Sequence, residues 1–105
     1  MVISLSGEWD IYRRAELHDR LAPAYYERNV ILDLTAAKYV TSTLMGALVA
    51  LHKHRHAERL KPAVLAVRSA FVRHLLAATG IEMLYPIYET VEEALAPVAA
   101  RRLPP

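Results

Sequence analysis

The chain has 105 residues, 13 Lys and Arg against 11 Asp and Glu, a formal net charge of +2 and no cysteine. This length suits a single domain, and the lack of cysteine excludes disulfide frameworks, thiol catalysis and zinc knuckles. Arginines are scattered among acids, so no nucleic-acid-binding face is expected. The longest apolar stretch, 44–51, is far shorter than the roughly 20 residues that span a bilayer. Residues 1–5 do not resemble a signal peptide, and we expect a cytoplasmic protein without membrane insertion.

The N-terminal third predicts a strand followed by a helix. Residues 2–6 have the composition of a strand. Leu17, Leu21 and Tyr25 then recur every fourth residue, which is the stripe of a helix that lies on a core. Pro23 falls inside this stripe, and because proline lacks an N–H we expect the helix to kink or stop there.

Two short apolar runs, 30–34 and 63–67, predict strands that are covered on both faces, as in a parallel sheet under helices. Between them we expect a long helix from about residue 42 to residue 59. Its first two turns are apolar all round and must be buried by the fold or by a partner. The segment 52–56, which is rich in His, Lys and Arg, predicts a solvent-exposed second half.

The C-terminal third predicts a helix, a short strand and a final helix. A third helix is predicted by the i, i+3, i+4, i+7 spacing of Val72, Leu75, Leu76 and Thr79. Gly80 follows as its left-handed C-cap, and residues 87–88 form the strand. Residues 90–93 are a capping box, with Thr at the cap and Glu three residues on. The last helix is expected to bury one face: Val91, Ala94, Leu95 and Val98.

Alternation of strands and helices predicts an α/β fold with a mostly parallel four-stranded sheet and four helices. We assign residues 1–100 to this single domain and residues 101–105 to a short tail. Functional groups of open α/β sheets collect beyond the carboxyl ends of the strands. The segments of interest are therefore 7–12, 35–46 and 68–69.

Ser42 stands where the long helix should have its N-cap. A phosphate on this hydroxyl would meet the positive end of the helix and its unpaired N–H groups. The plainer interpretation is that Ser42, or Thr41, is only a cap.

Nearly the whole chain, from residue 2 to residue 96, resembles STAS domains, the anti-sigma factor antagonist family. The resemblance rests on five segments, in order and without large gaps: 5–10 (LSGEWD), 30–34 (VILDL), 39–48 (YVTSTLMGAL), 78–81 (ATGI) and 85–95 (YPIYETVEEAL). Most relatives carry one more strand at the start. We expect that strand to be missing here, so that the strand it would cover becomes an exposed edge, and we hypothesise a homodimer or a strand-addition partner.

The resemblance implies a regulator that binds a serine kinase acting as an anti-sigma factor, in a partner-switching pathway that controls transcription. In the family, phosphorylation of one serine weakens that binding, within the motif Asp-Ser-Ser-Gly-Leu-Gly. The phosphorylated serine falls on Ser42 and the last glycine on Gly46. The motif is degenerate, because Thr41 replaces its Asp, Thr43 its second Ser and Leu44 its first Gly.

The same substitutions suggest an apolar patch that grips a partner without phosphate control. The alternative is that these side chains turn inward, above all Met45. With Ser42 as the candidate phosphorylation site, the predicted partner-binding surface comprises Trp9, Asp10, Tyr39, Thr41, Thr43, Leu44, Met45 and Gly46.

Enzymatic and metal-dependent functions are not expected. His52 and His56 have the i, i+4 spacing of metal ligands, but no third ligand is apparent and a solvated face is the better interpretation. No nucleophile elbow or glycine-rich phosphate loop is present, so we predict no catalytic residue, no metal and no cofactor. The rival hypothesis is a STAS module that binds a small ligand, a nucleotide or a lipid.

Overall fold

A computed structural model describes the backbone of residues 1–100; the predicted tail, 101–105, lies outside the described residues. Four strands and four α-helices alternate along the chain, with three short 3-10 turns at Ile11–Arg13, Ala22–Tyr25 and Ile81–Met83. In chain order the elements are β1 (Val2–Ser4), α1 (Arg14–Leu21), β2 (Ile31–Asp33), α2 (Ser42–Ala57), β3 (Val64–Ala66), α3 (Ala70–Ala78), β4 (Ile87–Tyr88) and α4 (Val91–Ala100).

The sheet is parallel throughout, in the order β1-β2-β3-β4. Its two central strands are buried on both faces, as their continuous apolar sequences predict. The core residues of α1, α2 and α3 pack on one face of the sheet, whereas α4 packs on the other through Ala94 and Val98. The predicted α/β fold with a four-stranded parallel sheet and four helices is thereby confirmed.

Helix ends follow the local signals in the sequence. α1 ends at Leu21, and Pro23 lies in the 3-10 turn that follows, as expected from its missing N–H. Gly80 has a φ of 79° after α3, the left-handed conformation predicted for it. At α4, Thr90 accepts a hydrogen bond from the N–H of Glu93 at 3.0 Å. The prediction for Leu95 is wrong, since it lies on the exposed side of α4.

β1 is an edge strand whose outer side is partly covered by an arginine. The Ser4 carbonyl accepts a hydrogen bond of 3.1 Å from the guanidinium of Arg20. Charged side chains at an edge oppose pairing with another chain. The homodimer stays a prediction. The molecular mass of the protein in solution at high concentration would test it.

The prediction that residues 52–56 are solvent-exposed holds for Lys53 and His56, while His52 and His54 are half-buried. It is wrong for Arg55. Its side chain is 1% exposed and donates five hydrogen bonds of 2.6 to 3.1 Å to the carbonyls of Ala24, Glu27, Arg28 and Lys61. All five N–H donors of the guanidinium are used. The arginine therefore ties the end of α2 to the loop before β2 and to the loop before β3.

Replacement of Arg55 should be the most damaging single change at this end of the molecule. We expect Arg55→Met to lower the free energy of unfolding by about 3 kcal/mol or more, because buried carbonyls lose a charged donor. Arg55→Lys should restore only part of this loss, since an ammonium has three donors in place of five. Urea unfolding measures both values. Lys53→Ala, an exposed position of the same helix, is the control and should change stability by less than about 0.5 kcal/mol. An Arg55→Met protein as stable as the wild type would contradict this role.

Candidate partner-docking site at the start of α2

The loops that follow β1 and β2 are joined side by side at the carboxyl end of the sheet. The N–H of Gly7 donates to the carbonyl of Ala36 at 3.2 Å, and Gly7 forms an isolated parallel bridge with Ala37. Gly7 has a φ of 80°, a left-handed conformation that other residues adopt at a cost. Its conformation thus brings the loop of residues 7–12 against the segment that leads into α2.

Thr41, and not Ser42, caps α2. Its hydroxyl accepts a hydrogen bond from the N–H of Leu44 at 3.1 Å and donates one to the carbonyl of Trp9. Ser42 is the first helical residue and is exposed. Its hydroxyl makes no hydrogen bond to any residue within the described range 1–100. The expected N-cap at Ser42 is corrected accordingly, and the serine hydroxyl remains accessible.

Trp9 is buried, which corrects its place in an exposed apolar patch. The side chain is 1% exposed, and the guanidinium carbon of Arg13 lies 3.8 Å from the ring centroid. Arg13 also donates to the carbonyl of Glu8 at 2.9 Å and pairs with Glu16 at 2.9 Å. The arginine thus covers the indole from the solvent side and holds the loop closed.

The ion pair between Arg13 and Glu16 shifts the pKa values of both side chains. The hydrogen bond from Arg13 lowers the pKa of Glu16, and the same bond raises the pKa of Arg13. Asp10 contributes differently: its carboxylate accepts hydrogen bonds from the N–H groups of Tyr12 and Arg13 at 3.0 and 3.2 Å. It therefore caps the 3-10 turn Ile11–Arg13 while remaining exposed.

Leu44 is also buried, with no exposed surface. It follows the cap by three residues and points into the core, so the side chain that replaces the glycine of the family motif does not face a partner. Met45 and Thr43 are half-buried, and Met45 packs against the core cluster. The outward surface at the start of α2 is therefore narrower and less apolar than the sequence suggested.

An aromatic pair adds exposed apolar surface to that of Ile11 and Tyr12, which are 68% and 94% exposed. Tyr39 is 45% exposed and Phe71 is 52% exposed, with ring centroids 6.1 Å apart. Sequence reasoning missed Phe71 because it treated the third helix only as a source of core residues. The sequence does contain a signal, because Phe71 is an aromatic residue in the first turn of a helix that follows a buried strand. The start of that helix lies at the carboxyl end of the sheet, where Tyr39 was also expected.

Gly46 lies on the exposed side of α2, four residues after Ser42. A Cβ built at this position would meet nothing within 4 Å, so the monomer has no steric need for glycine. Ser42, Thr43 and Gly46 line an open groove of about 870 Å³ between α1 and α2. The exposed face of α2 therefore borders a concave surface at the predicted site.

Clusters of potential metal ligands and membrane-spanning helices were sought in the described part of the chain. No group of three or more His, Asp and Glu side chains there converges as metal ligands would. The rings of His52 and His56 stack at 6.1 Å, and His52 contacts Tyr85. None of the helices within residues 1–100 combines the length and the apolar character needed to cross a membrane.

Comparison with known proteins identifies the family. The family model described as "STAS domain" matches residues 1–94. The chain belongs to the STAS domain family. Solved structures with the same fold include an anti-sigma factor antagonist from Mycobacterium paratuberculosis, which is 24% identical, with a TM-score of 0.77 over 93% of this chain and 84% of that one.

Two further structures support the same fold. A putative anti-sigma factor antagonist from Thermotoga maritima is 19% identical, with a TM-score of 0.74 over 93% of this chain and 87% of that chain. A STAS domain protein from Planctomyces limnophilus, described as an anti-sigma-factor antagonist, is 24% identical, with a TM-score of 0.69 over 93% and 89% of the two chains. This STAS domain is thus similar in architecture to anti-sigma factor antagonists from three bacteria.

The double role of Thr41 predicts a specific order of stability among its variants. Thr41→Val keeps the shape but loses both hydrogen bonds, and should cost about 1 to 2 kcal/mol. Thr41→Ser keeps both bonds and should stay within about 0.5 kcal/mol of the wild type. Thr41→Asp keeps the cap but turns a carboxylate toward the Trp9 carbonyl, so it should be less stable than the serine variant. Urea unfolding followed by the fluorescence of Trp9, the only tryptophan, gives the values. Equal stability of the valine and serine variants would contradict this role.

Gly46→Ala should stabilise this STAS domain by about 0.5 to 1 kcal/mol, because alanine is the better helix former and its methyl group enters open space. Gly80→Ala is the matched control. Its φ of 79° predicts a loss of roughly 1 to 2 kcal/mol in place of a gain. Thermal unfolding of the two variants beside the wild type measures both signs, and a destabilised Gly46→Ala protein would show that the glycine serves the fold.

Proposed function

We propose that this STAS domain is an anti-sigma factor antagonist, or a related partner-switching regulator, that binds a serine-kinase anti-sigma factor in the cytoplasm. The observation that carries the proposal is the accessible hydroxyl of Ser42 at the first position of α2. Thr41 supplies the cap, so the helix does not need the serine. A hydroxyl without a structural task is available to a kinase.

The surroundings of Ser42 suit a phosphate. The first-turn N–H groups of a helix and its dipole favour negative charge, and Arg14 and His18 line the adjoining groove. A phosphoserine would add nearly two negative charges without a cost to the fold. Its effect would therefore fall on the partner, whose contact with this surface it changes.

The departures from the family motif are compatible with this function. Thr41 replaces an aspartate, and its hydroxyl both accepts from Leu44 and donates to the Trp9 carbonyl. An ionised aspartate could only accept, so threonine suits the geometry of this loop. Leu44 fills the core. The partner-facing residues are then Tyr39, Thr43, Met45 and Gly46, with Phe71 beside Tyr39.

The proposed phosphorylation is tested by incubation with a serine-kinase anti-sigma factor and ATP. We expect one phosphate on the wild type and none on Ser42→Ala, by intact-protein mass spectrometry. Ser69→Ala is the control, because it removes another serine hydroxyl, the one that caps α3, and it should be labelled like the wild type. Equal labelling of Ser42→Ala would exclude Ser42 as the acceptor.

The proposed capture is tested by calorimetric titration of the same kinase with unphosphorylated protein and with Ser42→Asp. A negative charge at this position should weaken binding about tenfold, which corresponds to roughly 1.4 kcal/mol. Circular dichroism should show no loss of helix in Ser42→Asp, since acidic residues are favourable in a first turn. A kinase that binds neither form would contradict the proposal.

The groove beside Ser42 favours the rival function, a module that binds a small ligand. Its volume of about 870 Å³ lies within the range of small-molecule sites. A thermal-shift screen with nucleotides and lipids separates the two functions. Stabilisation by such a compound, in a protein that captures no kinase, would favour the rival.

A further inference from the structure

The exposed face of α2 forms a ridge between two grooves, with small residues at three of its four positions. We define the α2 ridge as Ser42, Gly46, Ala50 and Lys53, all exposed. Their spacing of three or four residues aligns them along one side of the helix over roughly 16 Å. Gly46 and Ala50 line both the groove of about 870 Å³ on the α1 side and a second groove of about 450 Å³ on the α3 side.

The charges along these grooves have one sign. Arg14 and Lys53 are the fully charged side chains that line them, accompanied by His18, and no Asp or Glu is among the lining residues. Neither Arg14 nor Lys53 forms an ion pair with another described residue. In a chain of nearly balanced charge, this surface therefore complements an acidic partner.

The chemistry of the surface also indicates the secondary structure of the partner segment that binds it. The grooves lie between helices, so they offer no row of unpaired backbone groups to an extended peptide. A helix satisfies its own backbone and can bury an apolar side chain against Ile11 and Tyr12, which line the larger groove and are exposed. The absence of side chains at Gly46 and the methyl group of Ala50 let its axis approach closely.

We propose that the α2 ridge docks an amphipathic α-helix with an apolar face and acidic flanks, contributed by the protein partner. This inference deepens the proposed function and rests on it for the identity of that partner. A phosphate on Ser42 would stand at one end of the ridge and repel the acidic flank. The ridge thereby explains how phosphorylation weakens capture without a change in the fold.

The test uses the full chain and two synthetic peptides of about 18 residues, a length at which isolated helices become populated. Both share an apolar face of Leu and Ala; one has Glu on its flanks and the other has Lys. Fluorescence anisotropy of the labelled peptides should show the Glu peptide binding about tenfold more tightly, with a preference that shrinks as salt is added. Equal binding of the two peptides, or binding of anionic lipid vesicles in place of the Glu peptide, would overturn the proposal.

Variants locate the binding on the ridge. Arg14→Glu combined with Lys53→Glu should abolish the preference for the Glu peptide. Lys61→Glu combined with Arg73→Glu makes the same change of net charge at exposed positions outside both grooves and should leave the preference intact. Equal effects of the two pairs would overturn the proposal.

Substitutions that add bulk or charge to the ridge itself provide a second test. Gly46→Leu adds bulk at a position where the Cβ meets no other atom within 4 Å. It should weaken binding of the Glu peptide about tenfold while thermal unfolding shows a folded protein. Ser42→Asp should weaken it severalfold. Undiminished binding by Gly46→Leu would overturn the proposal.

The two proposals fail in distinguishable ways. A kinase anti-sigma factor that binds the wild type, loses affinity with Ser42→Asp and ignores both Gly46→Leu and the Arg14→Glu, Lys53→Glu pair would leave the function standing and overturn the ridge. The expected peptide preference, in a protein that no such kinase binds, would support the ridge and contradict the function.

Discussion

The position of α2 depends on a buried guanidinium at its C-terminal end. Every side-chain N–H group of Arg55 donates a hydrogen bond to a carbonyl of the two loops that precede β2 and β3. These carbonyls lie in different directions around the Arg55 side chain. The planar guanidinium can donate to all of them because it has five N–H groups. Thr41 fixes the other end through the Trp9 carbonyl. A helix tied at both ends can present its outward face with little freedom to move.

A helix held in this way does not need its outward residues for stability. Among the described residues, Ser42 makes no side-chain hydrogen bond and Gly46 has no side chain to pack. Gly46 even weakens the helix by about 1 kcal/mol relative to alanine. Proteins tolerate such local costs where function requires them. The proposed switch and the proposed ridge both draw on this surface, which accounts for small residues where larger ones would fit.

The loop of residues 7–12 links sheet and site. Gly7 turns the chain, Trp9 buries its ring under Arg13, and Asp10 caps the next turn. Ile11 and Tyr12 of this loop are exposed, but Gly7, Trp9 and Asp10 offer a partner no exposed apolar side chain. Their contribution is to hold the Trp9 carbonyl where Thr41 can reach it. Their effect on binding is therefore indirect, through the position of the α2 start.

The sequence alone determined the elements and their order. Apolar runs at 30–34 and 63–67, the stop at Pro23 and the cap at Gly80 are local signals, and the structure follows them. Which side chains lie inside was decided only by tertiary structure. Arg55 is polar in sequence but finds its carbonyls 27 to 31 residues earlier and six residues later, while Trp9 is covered by Arg13. The burial of these two side chains depends on contacts between loops that are distant in sequence. The spacing of residues along a single helix or strand does not predict such contacts.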